Sequence, residues 1–103
     1  MTIRVKVLLR SASITAAHAW VDSDNDGLVS DEQPVTLQKS GDTWSGEVAV
    51  TEQWRGAAVL WKVEGAVDDE CVHTAEAGGI ELYRRTAKLI ATRQRLIGFL
   101  GAP

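Results

Sequence analysis

The sequence predicts a β-rich α+β domain: an antiparallel sandwich or open sheet followed by one C-terminal amphipathic helix. Three observations predict it. Apolar and polar residues alternate with period two in several short segments of the first 65 residues, the mark of half-buried strands. Turn-forming residues separate these segments at short spacing, as in antiparallel sheets. From residue 80 to 100 the period changes: Leu82, Leu89 and Leu96 recur every seven residues, and so do Tyr83, Ile90 and Ile97. Such a stripe suits an amphipathic helix, and strands followed by a helix argue for an α+β layer arrangement.

The elements follow in order. In residues 2–9, Ile3, Val5, Val7 and Leu9 face one way and Arg4, Lys6 and Leu8 the other, a strand with one buried face. Residues 14–21 form a second run, with Ile14, Ala16, His18 and Trp20 on one face; its alanines also allow a helix. Residues 35–39 and 43–50 flank Ser40-Gly41-Asp42, a short turn signal, and read as a β-hairpin. On its second arm Trp44, Gly46, Val48 and Val50 share a face opposite Ser45, Glu47 and Ala49. In residues 57–64, Ala57, Val59, Trp61 and Val63 point inward, and Lys62 and Glu64 outward. Residues 65–79 read as a loop holding a short strand at 70–74, with a break at Gly78-Gly79. Residues 80–84 also admit a last strand, with the helix starting near Thr86.

Length and composition bound the rest. The 103 residues make a single domain, a body over 1–79 and the helix over 80–100, large enough to bury a core without disulfides or metal. The single cysteine, Cys71, forms no internal disulfide and fits a reducing compartment. Ala17-His18-Ala19 mimics a signal-peptidase site, but Arg10, Ser11, Ser13 and Thr15 break the apolar run that would precede it. A cytoplasmic location is therefore expected. No run approaches the ~20 apolar residues of a membrane span.

Charge is unevenly distributed. Residues 1–80 carry six Lys and Arg against thirteen Asp and Glu, a net of −7, and residues 81–103 carry five against one, a net of +4. The acidic body disfavours nucleic acid as a partner. The basic end, read as a helix, offers a seam for self-association or a partner chain, or a peripheral contact with an acidic membrane surface.

The stretch Asp22-Ser-Asp24-Asn-Asp26-Gly27-Leu28-Val-Ser30-Asp31-Glu32-Gln33 carries the strongest chemical signal. Calcium takes six to eight oxygens, and a 12-residue loop supplies them from positions 1, 3, 5, 7, 9 and 12, with glycine at 6 for a sharp turn. Asp22, Asp24 and Asp26 stand at positions 1, 3 and 5, Gly27 at 6, Leu28 with its carbonyl at 7, and Ser30 at 9. The stretch resembles the EF-hand calcium loop over these residues only. Position 12 is the neutral Gln33, with Asp31 and Glu32 just before it, and Pro34 opposes a following helix. The closer likeness is to DxDxDG loops that join strands in β proteins. The resemblance implies Ca²⁺ held by Asp22, Asp24, Asp26, the Leu28 carbonyl, and Asp31 or Glu32, at weak affinity. No Lys or Arg from Ser11 to Gln38 relieves the repulsion among these acids. The competing reading is a solvated acidic turn that binds nothing.

A second resemblance rests on W-x-G-x-V-x-V at residues 44–50 and V-L-W-K-V-E-G at 59–65. Residues 35–65 resemble immunoglobulin-like modules of the starch-binding kind, which implies an immunoglobulin-like sandwich. Trp44 and Trp61 read as core. Trp54, in a polar loop beside Arg55 and Gly56, is the candidate exposed ring for a sugar or a partner. Cys71 and His73 lie two apart, the spacing of one strand face. A nucleophile–base pair needs more than that spacing, and a zinc site needs two further ligands.

The expected function is a non-enzymatic, calcium-binding interaction module. The alternatives are a carbohydrate-binding module using Trp54, an oligomer-forming protein using the C-terminal helix, and a small Cys/His enzyme.

Overall fold

The computed structural model describes residues 2–22, 33–51, 56–65 and 68–101. Among them the chain forms nine strands: β1 (Ile3–Arg10), β2 (Ile14–Asp22), β3 (Gln33–Val35), β4 (Gln38–Ser40), β5 (Thr43–Val50), β6 (Ala58–Gly65), β7 (Glu70–Ala77), β8 (Ile80–Lys88) and β9 (Arg93–Phe99). They build two antiparallel sheets, one ordered β4-β5-β1-β7-β8 and the other β3-β2-β6-β9.

The alternating segments put their apolar faces between the sheets. Val5, Val7 and Leu9 of β1 are fully buried, as are Val59 and Trp61 of β6, and all five belong to one core with Ala17, Ala19 and Val21 of β2. The hairpin at Gly41-Asp42 joins β4 to β5, with Ser40 opposite Thr43. Its first arm is split. β3 pairs with β2 in the four-stranded sheet, and β4 pairs with β5 in the other, so the chain changes sheets at Thr36 and Leu37. This crossing packs onto the inner face of β5 at Gly46, where a Cβ would stand 2.3 Å from the Thr36 carbonyl oxygen and 2.9 Å from Val35 Cγ1. The glycine of the W-x-G-x-V motif is thus the seat of a chain crossing.

Two expectations are overturned. Residues 80–100 hold β8 and β9, and the described residues contain no helix, so the fold is all-β and not α+β. The break at Gly78-Gly79 is a two-residue hairpin turn, with φ of 56° and 82°, the backbone of a type I′ turn. The heptad spacing has a different origin. Leu82 packs on the core from β8, Leu96 points inward from β9, and Leu89 is buried in the connection between them. That connection is pinned by Leu89 N–H to the Asp69 carbonyl and Asp68 N–H to the Leu89 carbonyl, 2.8 Å each. A strand, a turn and a strand can carry one leucine each at seven-residue spacing as readily as a helix can. The β-branched and aromatic residues of the segment favour the extended form, and Gly98 disfavours a helix interior. The readings built on a C-terminal helix lose their element.

The second correction concerns β2. Ile14 faces the core, but the next inward residues are Ala17, Ala19 and Val21, while His18 and Trp20 face out. A register shift between Ile14 and Ala16 against β6 inserts the extra residue of a β-bulge, which moves every later side chain to the opposite face.

Candidate functional site

The acidic motif begins where β2 ends. Asp22 is the last residue of β2, is fully buried, and sits in register with Ala58 of β6, which in turn faces Phe99 of β9. Val21 pairs with Gln33, the first residue of β3. The segment 23–32 therefore joins neighbouring antiparallel strands, with its first and twelfth motif positions held side by side. Asp24, Asp26, Leu28, Asp31 and Glu32 lie outside the described residues. Trp54 and Arg55 also lie outside them, in the connection that enters β6 next to Asp22. Both segments singled out by the sequence are thus tethered to one end of the four-stranded sheet. At that end the Gln33 side-chain amide donates to the Ala49 carbonyl at 3.2 Å, and Leu100 N–H donates to the Ala57 carbonyl at 2.9 Å. Asp22 is itself engaged by a partner, as a buried carboxylate must be to avoid a large desolvation penalty. Among the described residues, no three His, Cys, Asp or Glu side chains gather where they could hold a metal ion.

The outer face of the same sheet presents a surface that the sequence reading missed. Cross-strand registers align Pro34, Trp20, Leu60 and Ile97 in one row, and His18, Lys62 and Arg95 in the next. Trp20 is half-buried, and its ring stands 6.1 Å from that of His18. Ile97 and Phe99 are exposed at 42% and 41%, and the Arg85 guanidinium from β8 lies 5.8 Å from the centre of the Phe99 ring, a cation–π distance. Arg93 pairs with Glu64 at 2.8 Å. The available signal was the basic bias of residues 81–103; assigned to a helix, it gave no hint of a sheet face.

Cys71 and His73 do share a strand face, and it is the interior one. Both are buried. Burial raises the Cys71 thiol pKa, the reverse of the activation a nucleophile needs. Burial, and secondarily the nearby Arg85 charge, lowers the His73 pKa to about 4. The His73 ring meets the rings of Trp61 and Tyr83 edge-on at 6.3 and 5.6 Å, and its Nδ1 has no hydrogen-bond partner. Trp61 Nε1–H donates to the Tyr83 hydroxyl at 3.0 Å. Trp61 is core as expected, while Trp44 is half-buried against it.

No family model, curated protein or solved structure matches the chain.

Proposed function

We propose that this chain is a non-enzymatic interaction module that binds calcium at the β2–β3 end of its four-stranded sheet. The ligands would be Asp22, Asp24, Asp26, the Leu28 carbonyl, and Asp31 or Glu32. The observation that carries the reading is Asp22: a wholly buried carboxylate at a strand end, opening the DxDxDG motif, with the far end of that motif held beside it by the Val21–Gln33 pair. Oxygen ligands in this order suit a hard cation. The Gln33 amide is directed to the β5 backbone, which leaves the closing carboxylate to Asp31 or Glu32 and supports weak affinity. Ion binding would order the end of the sheet from which the Trp54 segment also departs.

Thermal unfolding in EDTA and then in ~1 mM Ca²⁺, the weak end of calcium sites, tests the reading, with Mg²⁺ as control. At fivefold excess over Kd, binding to the folded state alone adds about 1 kcal/mol. For a domain of this size that raises Tm by ~4–8 °C. The shift should vanish in a double variant Asp24→Asn, Asp26→Asn. An unchanged Tm together with a flat calorimetric titration would reduce the motif to an acidic turn.

A further inference from the structure

Open sheet edges invite another strand, and proteins blunt them with short strands, proline, bulges or bare charge. β3 is three residues long and contains Pro34, and β4 is three residues long. β8 is shifted in register opposite Ala75 and Glu76. The remaining edge, β9, runs seven residues without proline and in steady register with β6. Its charges are met within the chain: Arg93 pairs with Glu64 at 2.8 Å, and Arg95 has a partner of its own. The exposed apolar side chains Ile97 and Phe99 both stand on this strand.

The ladder shows which backbone groups the edge offers. Leu100 N–H bonds the Ala57 carbonyl and Gly65 N–H bonds the Thr92 carbonyl. Bonded and non-bonded positions alternate in an antiparallel pair, so Gln94, Leu96 and Gly98 turn their N–H and C=O groups toward β6. Arg93, Arg95, Ile97 and Phe99 turn theirs outward, where the sheet has no further strand among the described residues. The side chains of these four share one face of the strand, and all are exposed. Along the chain that face runs Arg, Arg, Ile, Phe: a basic half, then an apolar half.

Such an order of halves is complementary to its own reverse, and a two-fold axis supplies the reverse. With the axis at Leu96, a second β9 running antiparallel sets Arg93 opposite Phe99 and Arg95 opposite Ile97 of the second copy, and the converse. All four outward positions then exchange N–H to C=O bonds, and no arginine stands directly opposite an arginine. An axis at Arg95 would set that residue against itself and leave Phe99 over, and an axis at Ile97 would leave Arg93 over. On the inner face the two buried Leu96 side chains become cross-strand neighbours, which carries the core across the seam. Arginine stems pack along apolar side chains while their head groups keep other partners. The chain already holds a contact of this kind, with the Arg85 guanidinium 5.8 Å from the centre of the Phe99 ring. Arg85 is exposed, and its long side chain can swing clear of an incoming strand.

We propose that β9 is the self-association edge of this chain: two copies join antiparallel about Leu96 and merge their four-stranded sheets into one. Backbone bonds supply the attachment, and the Arg-to-apolar pairing selects a second copy and its register. The proposal does not depend on calcium.

The test is sedimentation velocity on the full chain in EDTA, from ~10 μM to ~1 mM. One strand pair buries less than a standard interface, so a reversible dimer with Kd on the order of 100 μM is expected. Hydrogen exchange at the upper concentration should slow at the Arg95, Ile97 and Phe99 amides relative to the lower one. Two substitutions at one exposed side chain check the edge. Ile97→Pro removes an outward N–H and no bond to β6, which edge strands tolerate. Ile97→Lys keeps the backbone and sets a lysine opposite Arg95 of the second copy, a like-charge pair. Each should weaken the dimer at least ~10-fold. If the proline variant does not fold, the lysine variant decides. The proposal is overturned by a chain that stays monomeric to ~1 mM, by a dimer without new protection on β9, or by a dimer that Ile97→Lys leaves intact. A dimer that requires Ca²⁺ overturns it too, as does open-ended assembly, since two-fold pairing closes at two copies.

Discussion

Two tryptophans with the same reading in the sequence occupy different surroundings in the sandwich. Trp61, on β6, is fully buried and gives its Nε1–H to the Tyr83 hydroxyl across the gap between the sheets. Trp44, on β5, has a buried Nε1 with no partner and is half-exposed, with Lys39 Nζ 5.3 Å from its ring centre. The difference separates a tight aromatic side of the molecule, around Trp61, His73 and Tyr83, from the β4–β5 side, where the backbone packs closely at Gly46 but the indole N–H is unpaired.

The largest effect expected on this contrast comes from Gly98. A Cβ there would stand 2.1 to 2.6 Å from three atoms of the Tyr83 ring, so Gly98→Ala must displace the ring and with it the acceptor of Trp61. Overpacking together with a stranded buried N–H predicts a loss of about 2–5 kcal/mol. It should be read as a lower denaturation midpoint at unchanged slope. A loss within ~0.5 kcal/mol, the range of ordinary surface changes, would mean that the β9–Tyr83 contact does not organise this side.

Matched deletions of one polar group sharpen the comparison further. Tyr83→Phe keeps the ring and leaves the Trp61 N–H buried without a partner, at a cost of about 1–3 kcal/mol. Trp44→Phe removes a buried N–H that already lacks one, which relieves a desolvation cost of about 1–3 kcal/mol and offsets the lost ring contact, so its net effect should be near zero or stabilising. Equal losses in the two variants, measured by chemical denaturation, would erase the distinction between the two sides.

How far the sequence foretold this arrangement depends on the element. β1, β5 and β6 were legible because strict alternation over an unbroken strand allows only one inward face, whereas the first arm of the hairpin, read as one strand, is split between β3 and β4. The outward face of Trp20 was not, because the bulge after Ile14 leaves no mark in composition. The open edge of β9 was hidden for a related reason: seven-residue spacing of leucines is shared by a helix and by two strands whose connection contributes Leu89. At the candidate site, the sequence shows the order of the acidic residues. The burial of Asp22 and its placement beside Gln33 depend on pairing with β3 and β6, which no local pattern specifies.

The smallest effect at neutral pH, and one that grows on acidification, belongs to His73. It sits on the tight side, against Trp61 and Tyr83 and across from Arg85 on β8. Its pKa falls from the ordinary 6.5 to about 4 in the folded chain. Between those values the unfolded chain binds a proton that the folded chain refuses, so stability must fall as pH drops through this window. Above pH ~6.5 the group is neutral in both states and contributes no slope. Denaturation midpoints from pH 7 to 4.5 should therefore decline in the wild type and decline less in His73→Leu, whatever the repacking cost of that variant at pH 7. The two serine hydroxyls bonded to Asp69 lower its pKa, so its contribution is lost only at still lower pH and leaves the histidine window clear. Parallel slopes for the two proteins would remove His73 from the tight side and leave Tyr83 and Gly98 to account for it.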